Sequence, residues 1–199
     1  GYEKTVEGSN EYNRAYDDLI DEVTECVKNK HVILYAGGSQ SWQGLDRLYA
    51  ASKIIQNSSV DYVVVICGVS KKLNVEGCVI EVPRVPQYIL FEIMKLANLF
   101  VIPRPLTIVN QVAMPTKLVE YASVGRAILS TPIGATSRMV MENNLGIVTI
   151  DDSEQAIADG IIDYFEMTAG QQKAVKENNI NYALQHSWSN AFYNLEHVL

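Results

Sequence analysis

The chain has 199 residues, enough for one large domain or two small ones. Its 48% hydrophobic and 20% charged content is that of a globular protein. No apolar run approaches the ~20 residues that cross a bilayer, and the first residues lack a basic-then-apolar leader pattern. The net charge is −7, with no Lys/Arg cluster beyond Lys71-Lys72, which argues against a nucleic-acid surface. Acidity does not exclude a phosphate ligand, because backbone amides and one or two side chains can hold it. Cys26, Cys67 and Cys78 are odd in number and lack metal-ligand spacing. They read as small buried hydrophobes in a reducing compartment, so a cytoplasmic protein is expected.

Residues 1 to 10 are polar and read as a frayed tail. Glu11 to Asn29 is an amphipathic helix, with Tyr12, Ala15, Tyr16, Leu19, Val23, Cys26 and Val27 at three- and four-residue steps. His31 to Ala36 is a β-rich run. A glycine-bounded loop, Gly37 to Gly44, leads to a helix over Leu45 to Gln56. Tyr62 to Cys67 is a second strand closed by Gly68, and Cys78 to Val82 a weaker one. Tyr88 to Ala97 suits a helix and Leu99 to Ile102 a strand, followed by an irregular segment, Pro103 to Met114. Pro115 suits a first helical position and Gly125 the left-handed residue after a last turn. Ala127 to Leu129 is a buried strand and Thr131 to Gly134 a loop at its carboxyl end. Ile147 to Ile150 is the last strand, and Asp151-Asp152-Ser153 a helix start. Helices fill most of Glu154 to Leu199, with breaks near Gly170 and Ser187. The alternation predicts an α/β fold, a parallel sheet covered by helices on both faces. Two parts are expected: a tail and connector helix over residues 1–30, and a Rossmann-like domain over residues 31–199.

Three features carry chemistry. The loop GGSQSWQGLD, Gly37 to Asp46, follows a strand and opens a helix, where backbone N–H groups can cradle phosphate. It is neither GxGxxG nor a P-loop, and a tight connection with structural glycines is the plainer account. Lys117, Glu120 and Ser123 lie at three-residue spacing on the polar side of one helix. The plain account is a solvated ion pair worth a few tenths of a kcal/mol. Lys before Glu is the less favourable order, however, with the cation nearer the positive end of the dipole. A carboxylate can accept two hydroxyl hydrogen bonds, so Glu120 could take a vicinal diol and Lys117 offset phosphate charge. Arg104 stands between Pro103 and Pro105, directly after a strand. It reads equally as a phosphate clamp or as a surface arginine in a proline-stiffened loop. His31, His186 and His197 are scattered, and no nucleophile or general base is evident.

In order, the segments VILYAGGSQSWQGLD, YVVVICG, EVPRVPQYILFEIMKLANLFVIP, PTKLVEYASVGRAILSTPIGA and the late SW resemble the C-terminal domain of GT-B-fold glycosyltransferases, of the retaining family 4. The resemblance covers Val32 to Leu199. It implies that Glu120 binds the donor's ribose hydroxyls, with Lys117 beside it. It places Gly38 and the loop through Gly44 at the donor diphosphate, and Arg84 and Val85 against the nucleobase. The late Ser187-Trp188 helix would cross back toward an N-terminal domain. Where the family carries an arginine and a lysine in the loop, this chain has Ser39 and Gln43, and Arg104 or Lys117 would have to compensate. Val112, eight residues before Glu120, replaces the first glutamate of the E-x7-E motif.

The resemblance therefore implies the donor half of a two-domain enzyme. The donor would be a nucleotide-sugar and the acceptor a glycan or lipid-linked molecule held by a missing N-terminal domain, through which peripheral membrane association would also come. The product would be a polysaccharide or glycan. No metal or cofactor is implied, since the nucleotide-sugar is a substrate. A non-catalytic interaction module is the second reading, favoured by Ser39, Gln43 and Val112. A sugar-nucleotide epimerase ranks last, because no acid/base constellation matches it.

Overall fold

A computed structural model describes residues 2–57, 60–113 and 116–186, with side chains from residue 14 onward. Seven strands form one sheet in the order β3-β4-β2-β1-β5-β6-β7. They are β1 (His31–Ala36), β2 (Tyr62–Ser70), β3 (Asn74–Glu76), β4 (Val79–Pro83), β5 (Leu99–Ile102), β6 (Ala127–Ser130) and β7 (Gly146–Val148). All pairings are parallel except the β3–β4 hairpin at one edge. Counted along the chain, the parallel strands run 3-2-1-4-5-6, the doubly wound order whose direction reverses between β1 and β5.

Period-two alternation divides the strand residues between two cores. Val32, Leu34 and Ala36 face one core with Val63, Val65, Phe100 and Ile128; Ile33 and Tyr35 face the other with Val64, Ile66, Val101 and Leu129. Helices cover both faces, as expected: α1 (Tyr2–Val27), α2 (Leu45–Ile55), α3 (Gln87–Met94), α4 (Ile108–Val112), α5 (Thr116–Ser123), α6 (Gly134–Glu142), α7 (Glu154–Glu166) and α8 (Ala169–Gln185). The second core is closed by α2 and α7 through Leu48, Ala51, Ile55, Ile157 and Ile161. In the first, α1 contributes Val23 and Val27, beside Ile93 of α3 and Leu118 of α5.

Several elements differ from the sequence reading. Helix α1 begins at Tyr2, not Glu11. Once its last turns are packed, each further residue adds one backbone hydrogen bond, and no apolar stripe is needed to continue it. Gly68 does not close β2: at φ +98 it sits where the ladder shifts register between Cys67 and Ser70, and the strand runs on to Ser70. The hairpin strand β3 is exposed along its length and carries no apolar alternation to announce it. It is held from the side, where Glu81 of β4 accepts hydrogen bonds from the hydroxyl of Tyr49 on α2 and from Asn74 Nδ2. Helix α4 lies in the segment read as irregular, and α6 starts at Gly134, the last residue of the loop, and runs through residues that the sequence reading left unassigned. The break before α8 falls at Thr168, which forms a capping box with Gln171. Ser153 caps α7, and Gly125 takes φ +68 after α5, both as read from sequence. Pro115, Ser187, Trp188 and His197 lie outside the described residues.

At the reversal point the β1–β5 ladder covers only Ile33 and Leu34. Beyond it, the amide and carbonyl of Ala36 are turned to the open side, because Gly37 N already bonds Cys67 O of β2. The phenol of Tyr121, fully buried on α5, serves both groups: it accepts from Ala36 N at 2.9 Å and donates to Ala36 O at 3.2 Å. Its ring stacks on Phe100 of β5, with centroids 4.2 Å apart. Replacing Tyr121 by Phe keeps the stack and orphans two buried backbone groups. The variant is expected to lose roughly 1–3 kcal/mol of stability, read as a lower urea midpoint at an unchanged slope; an unaltered midpoint would show that water replaces the phenol.

Candidate functional site

Doubly wound sheets place ligands at the carboxyl ends of their strands, beside the reversal point. A cleft of about 510 Å³ opens there, within the range of small-molecule sites. Its walls come from the loop after β1 (Gly37, Gly38, Gln40), the β2 bulge at Gly68, the β4 exit (Pro83, Arg84, Val85), Gln87 and Leu90 of α3, and Glu120 of α5. The cleft therefore gathers Gly38, Arg84, Val85 and Glu120, which the sequence had placed at one ligand. Arg84 is exposed and Val85 half-buried against the core.

Glu120 is exposed, and its carboxylate makes no ion pair or hydrogen bond among the described residues. The expected alternative, a helix-surface pair with Lys117, is absent. The hydroxyl of Ser123 is turned back onto its own helix, donating to Glu120 O at 2.6 Å. The carboxylate thus stands at the cleft mouth with its lone pairs available.

Lys117 turns inward. Its Nζ donates to Gln43 Oε1 at 2.9 Å and to Tyr35 Oη at 3.0 Å, and lies 4.4 Å from the centroid of the Tyr35 ring. The Tyr35 hydroxyl donates in turn to Gly38 O at 2.8 Å. Gly37 is required for this approach, since a β-carbon there would run into Lys117 Nζ and Tyr35 Oη. Burial, then repulsion from Arg104, lowers the ammonium of Lys117 to about 8, against a smaller raising effect of Glu120. Burial likewise raises the Tyr35 phenol well above its ordinary value.

Arg104 is not a surface side chain. It is 8% exposed, between the buried Pro103 and Pro105 at the exit of β5, and its carbonyl accepts from Thr131 Oγ1 at 2.6 Å. The Pro103 carbonyl sits against Gly44, which takes φ +75 and has no room for a side chain. Gly44 thus closes the β1 loop onto the β5 exit and brings Gln43, Lys117 and Arg104 to one side of Tyr35. Ser39 is exposed at the loop tip. Among the described residues, no three His, Cys, Asp or Glu side chains gather as metal ligands would.

Sequence reasoning missed Tyr35, Gly68 and Gln87. Tyr35 carries a readable signal, a hydroxyl-bearing aromatic at the carboxyl end of a strand directly before a glycine loop. The others are set by how β2 and α3 enclose the cleft.

The sequence model for glycosyl transferases group 1 matches residues 17–182. No curated protein matches the sequence significantly. Among solved structures, a glycosyltransferase from Rickettsia africae superposes with a TM-score of 0.71 at 13% identity, over 89% of this chain and 51% of that one. Anabaena HepE, crystallised in complex with UDP and glucose, gives 0.69 at 14% identity, over 90% and 51%. The C-terminal domain of a group 1 glycosyl transferase, LpcC, from Francisella tularensis gives 0.63 at 12% identity, over 83% and 91%. The chain thus spans about half the length of the first two and nearly all of the isolated C-terminal domain. The fold is one Rossmann-like half of the GT-B architecture, and the chain belongs to the glycosyl transferases group 1 family.

Proposed function

We propose that this chain is the donor-binding half of a glycosyltransferase that takes a nucleotide-sugar and, joined to an N-terminal half, transfers the sugar to a glycan or lipid-linked acceptor. The observation that carries this reading is the unpaired carboxylate of Glu120 at the mouth of a cleft bounded by Gly37, Gly38 and Gly68. A ribose offers two adjacent hydroxyl donors, and an ionised carboxylate presents two acceptor oxygens in matching geometry. With the ribose on Glu120, the base would lie toward Arg84, Val85 and Leu90, and the phosphates toward the loop after β1. That HepE was crystallised with UDP and glucose supports the ligand class.

The chemistry asked of this half is positioning and charge stabilisation. In transfer, the bond between the anomeric carbon and the diphosphate oxygen breaks, and an acceptor hydroxyl oxygen bonds that carbon and loses its proton. Neither step needs a nucleophilic side chain on this chain. Oriented donors and cations beside the leaving group supply the stabilisation. The interaction-module reading rests on the loss of loop charge at Ser39 and Gln43 and on Val112 in place of a glutamate. Buried Arg104 and half-buried Lys117 beside the same loop answer the loss of loop charge, and Val112 alone is left to favour that reading.

Calorimetry with the common nucleoside diphosphates is expected to find one that binds and raises the melting temperature. Glu120→Ala is expected to weaken it at least tenfold, about 1.4 kcal/mol. Absence of binding by every nucleoside diphosphate would overturn the reading.

A further inference from the structure

Among the described residues, Arg104 is the one charged side chain in the fully buried set. Its Nε and Nη1 are shut off from solvent and have no hydrogen-bond partner. A guanidinium in that position opposes folding, because its lost hydration is not replaced. The neighbouring Lys117 has only neutral partners, Gln43 Oε1 and Tyr35 Oη. Neither cation forms an ion pair among the described residues. The chain thus holds two like charges, at the exit of β5 and the first turn of α5, with no anion in contact with either among the described residues. A folded protein keeps such an arrangement where a ligand completes it.

Gln43 explains how the second charge is held. Its amide oxygen accepts from Lys117 Nζ at 2.9 Å, while the Tyr35 hydroxyl accepts from the same ammonium and donates to Gly38 O. A cation at position 43 would face Lys117 directly. The neutral loop residue and the lysine on α5 are two parts of one arrangement.

We propose that Arg104 and Lys117 form an anion subsite that takes the diphosphate of the nucleotide-sugar, with Gln43 and Tyr35 as positioning residues for Lys117. The identity of the ligand rests on the nucleotide-sugar reading above; the anion subsite itself does not. Both loops that bound it are pinned: Gly44 against Pro103 on one side, and on the other Leu106 N and Arg47, both held by Asp152 at 2.8 and 3.1 Å. The two cations are therefore preorganised.

The probe is inorganic pyrophosphate, titrated into the 199-residue chain. It is expected to bind, to raise the melting temperature, and to do so more than orthophosphate at equal concentration. Arg104→Gln and Lys117→Gln should each weaken it at least tenfold. Gln43→Glu keeps the acceptor oxygen but neutralises the ammonium, and should also weaken binding; unchanged binding in this variant would overturn the role of the Lys117 charge in holding the anion. Arg104→Met, with no cation to bury, should melt at a higher temperature than the parent when no pyrophosphate is present. No response of the parent to pyrophosphate, or equal binding by the parent, Arg104→Gln and Lys117→Gln, would overturn the subsite. The two proposals fail separately. If a nucleoside diphosphate binds through Glu120 without dependence on Arg104 or Lys117, the subsite is wrong and the donor reading stands. If pyrophosphate binds as described but no nucleoside diphosphate does, the donor reading is wrong and the subsite stands.

The empty protein offers an independent check. Arg104 from the β5 exit, Glu120 from α5 itself, Tyr35 from β1 and Gln43 from the loop face Lys117. Below pH 8 Lys117 is charged in both the folded and unfolded chain. Between about 8 and its ordinary 10.5 the unfolded chain keeps the proton and the folded one loses it, so stability contributed at this residue rises with pH across that window. Lys117→Met should lack that rise and be the more stable protein below pH 8. Superimposable stability profiles for parent and variant would show the ammonium to be solvated and would overturn the buried pair.

Discussion

The site depends on one hydrogen-bonding problem in the sheet. Where the strand order reverses, β1 and β5 part after Leu34, and Ala36 is left with an amide and a carbonyl facing no strand. Buried backbone groups without partners are costly, so something must fill the gap. Here it is the Tyr121 phenol, which can accept and donate at once. Because Tyr121 is on α5, the same contact fixes how that helix is rotated over the reversal point. Glu120, one residue earlier, is turned to the cleft mouth, and Lys117, one turn earlier, is turned toward Tyr35. Backbone satisfaction in the fold thus sets the orientation of the residues that face a ligand.

The stability of this region is correspondingly uneven. Strands β1, β5 and β6 are buried along nearly their whole length, and burial of each large aliphatic side chain contributes about 1.5–3 kcal/mol. Against that background the fold tolerates an unpartnered guanidinium and a desolvated ammonium at the strand ends. Arg104 sits between two prolines, and the ammonium of Lys117 lies against Gly37, where a side chain would collide with it. A constrained backbone keeps the cations from relaxing outward to solvent. It also explains why substitutions that would raise stability here are expected to lower ligand binding.

How much of this could be read from the sequence differs by scale. The parallel sheet with helices on both faces followed from apolar runs alternating with amphipathic segments, since strands buried on both faces announce themselves. The cap at Ser153 and the stop at Gly125 followed from local chemistry. Strand β3 and helices α4 and α6 were missed because their order comes from tertiary contacts: Glu81 tying the hairpin to Tyr49, and Asn110 of α4 donating to Trp42 O and Pro105 O. At the site, the spacing of Lys117 and Glu120 was legible, but their separation into an inward and an outward side chain was not. Helical periodicity placed both on one polar face; the hydroxyl of Tyr35 and the oxygen of Gln43, both distant in sequence, draw Lys117 inward. Arg104 was left balanced between a clamp and a surface residue because proline neighbours report backbone stiffness and not depth.

Depth also resolves the tension between an acidic chain and an anionic ligand. The net charge of −7 belongs mostly to exposed carboxylates, whose fields are screened within about 8–10 Å at ordinary salt. Arg104 is buried and Lys117 half-buried, so their mutual field is less screened than that of exposed charges. An incoming diphosphate would meet this local field and the amides of the loop after β1, not the average over the surface. Overall charge therefore constrains extended polyanions, which need a wide basic face, far more strongly than it constrains a small anion held by two buried cations at the end of a sheet.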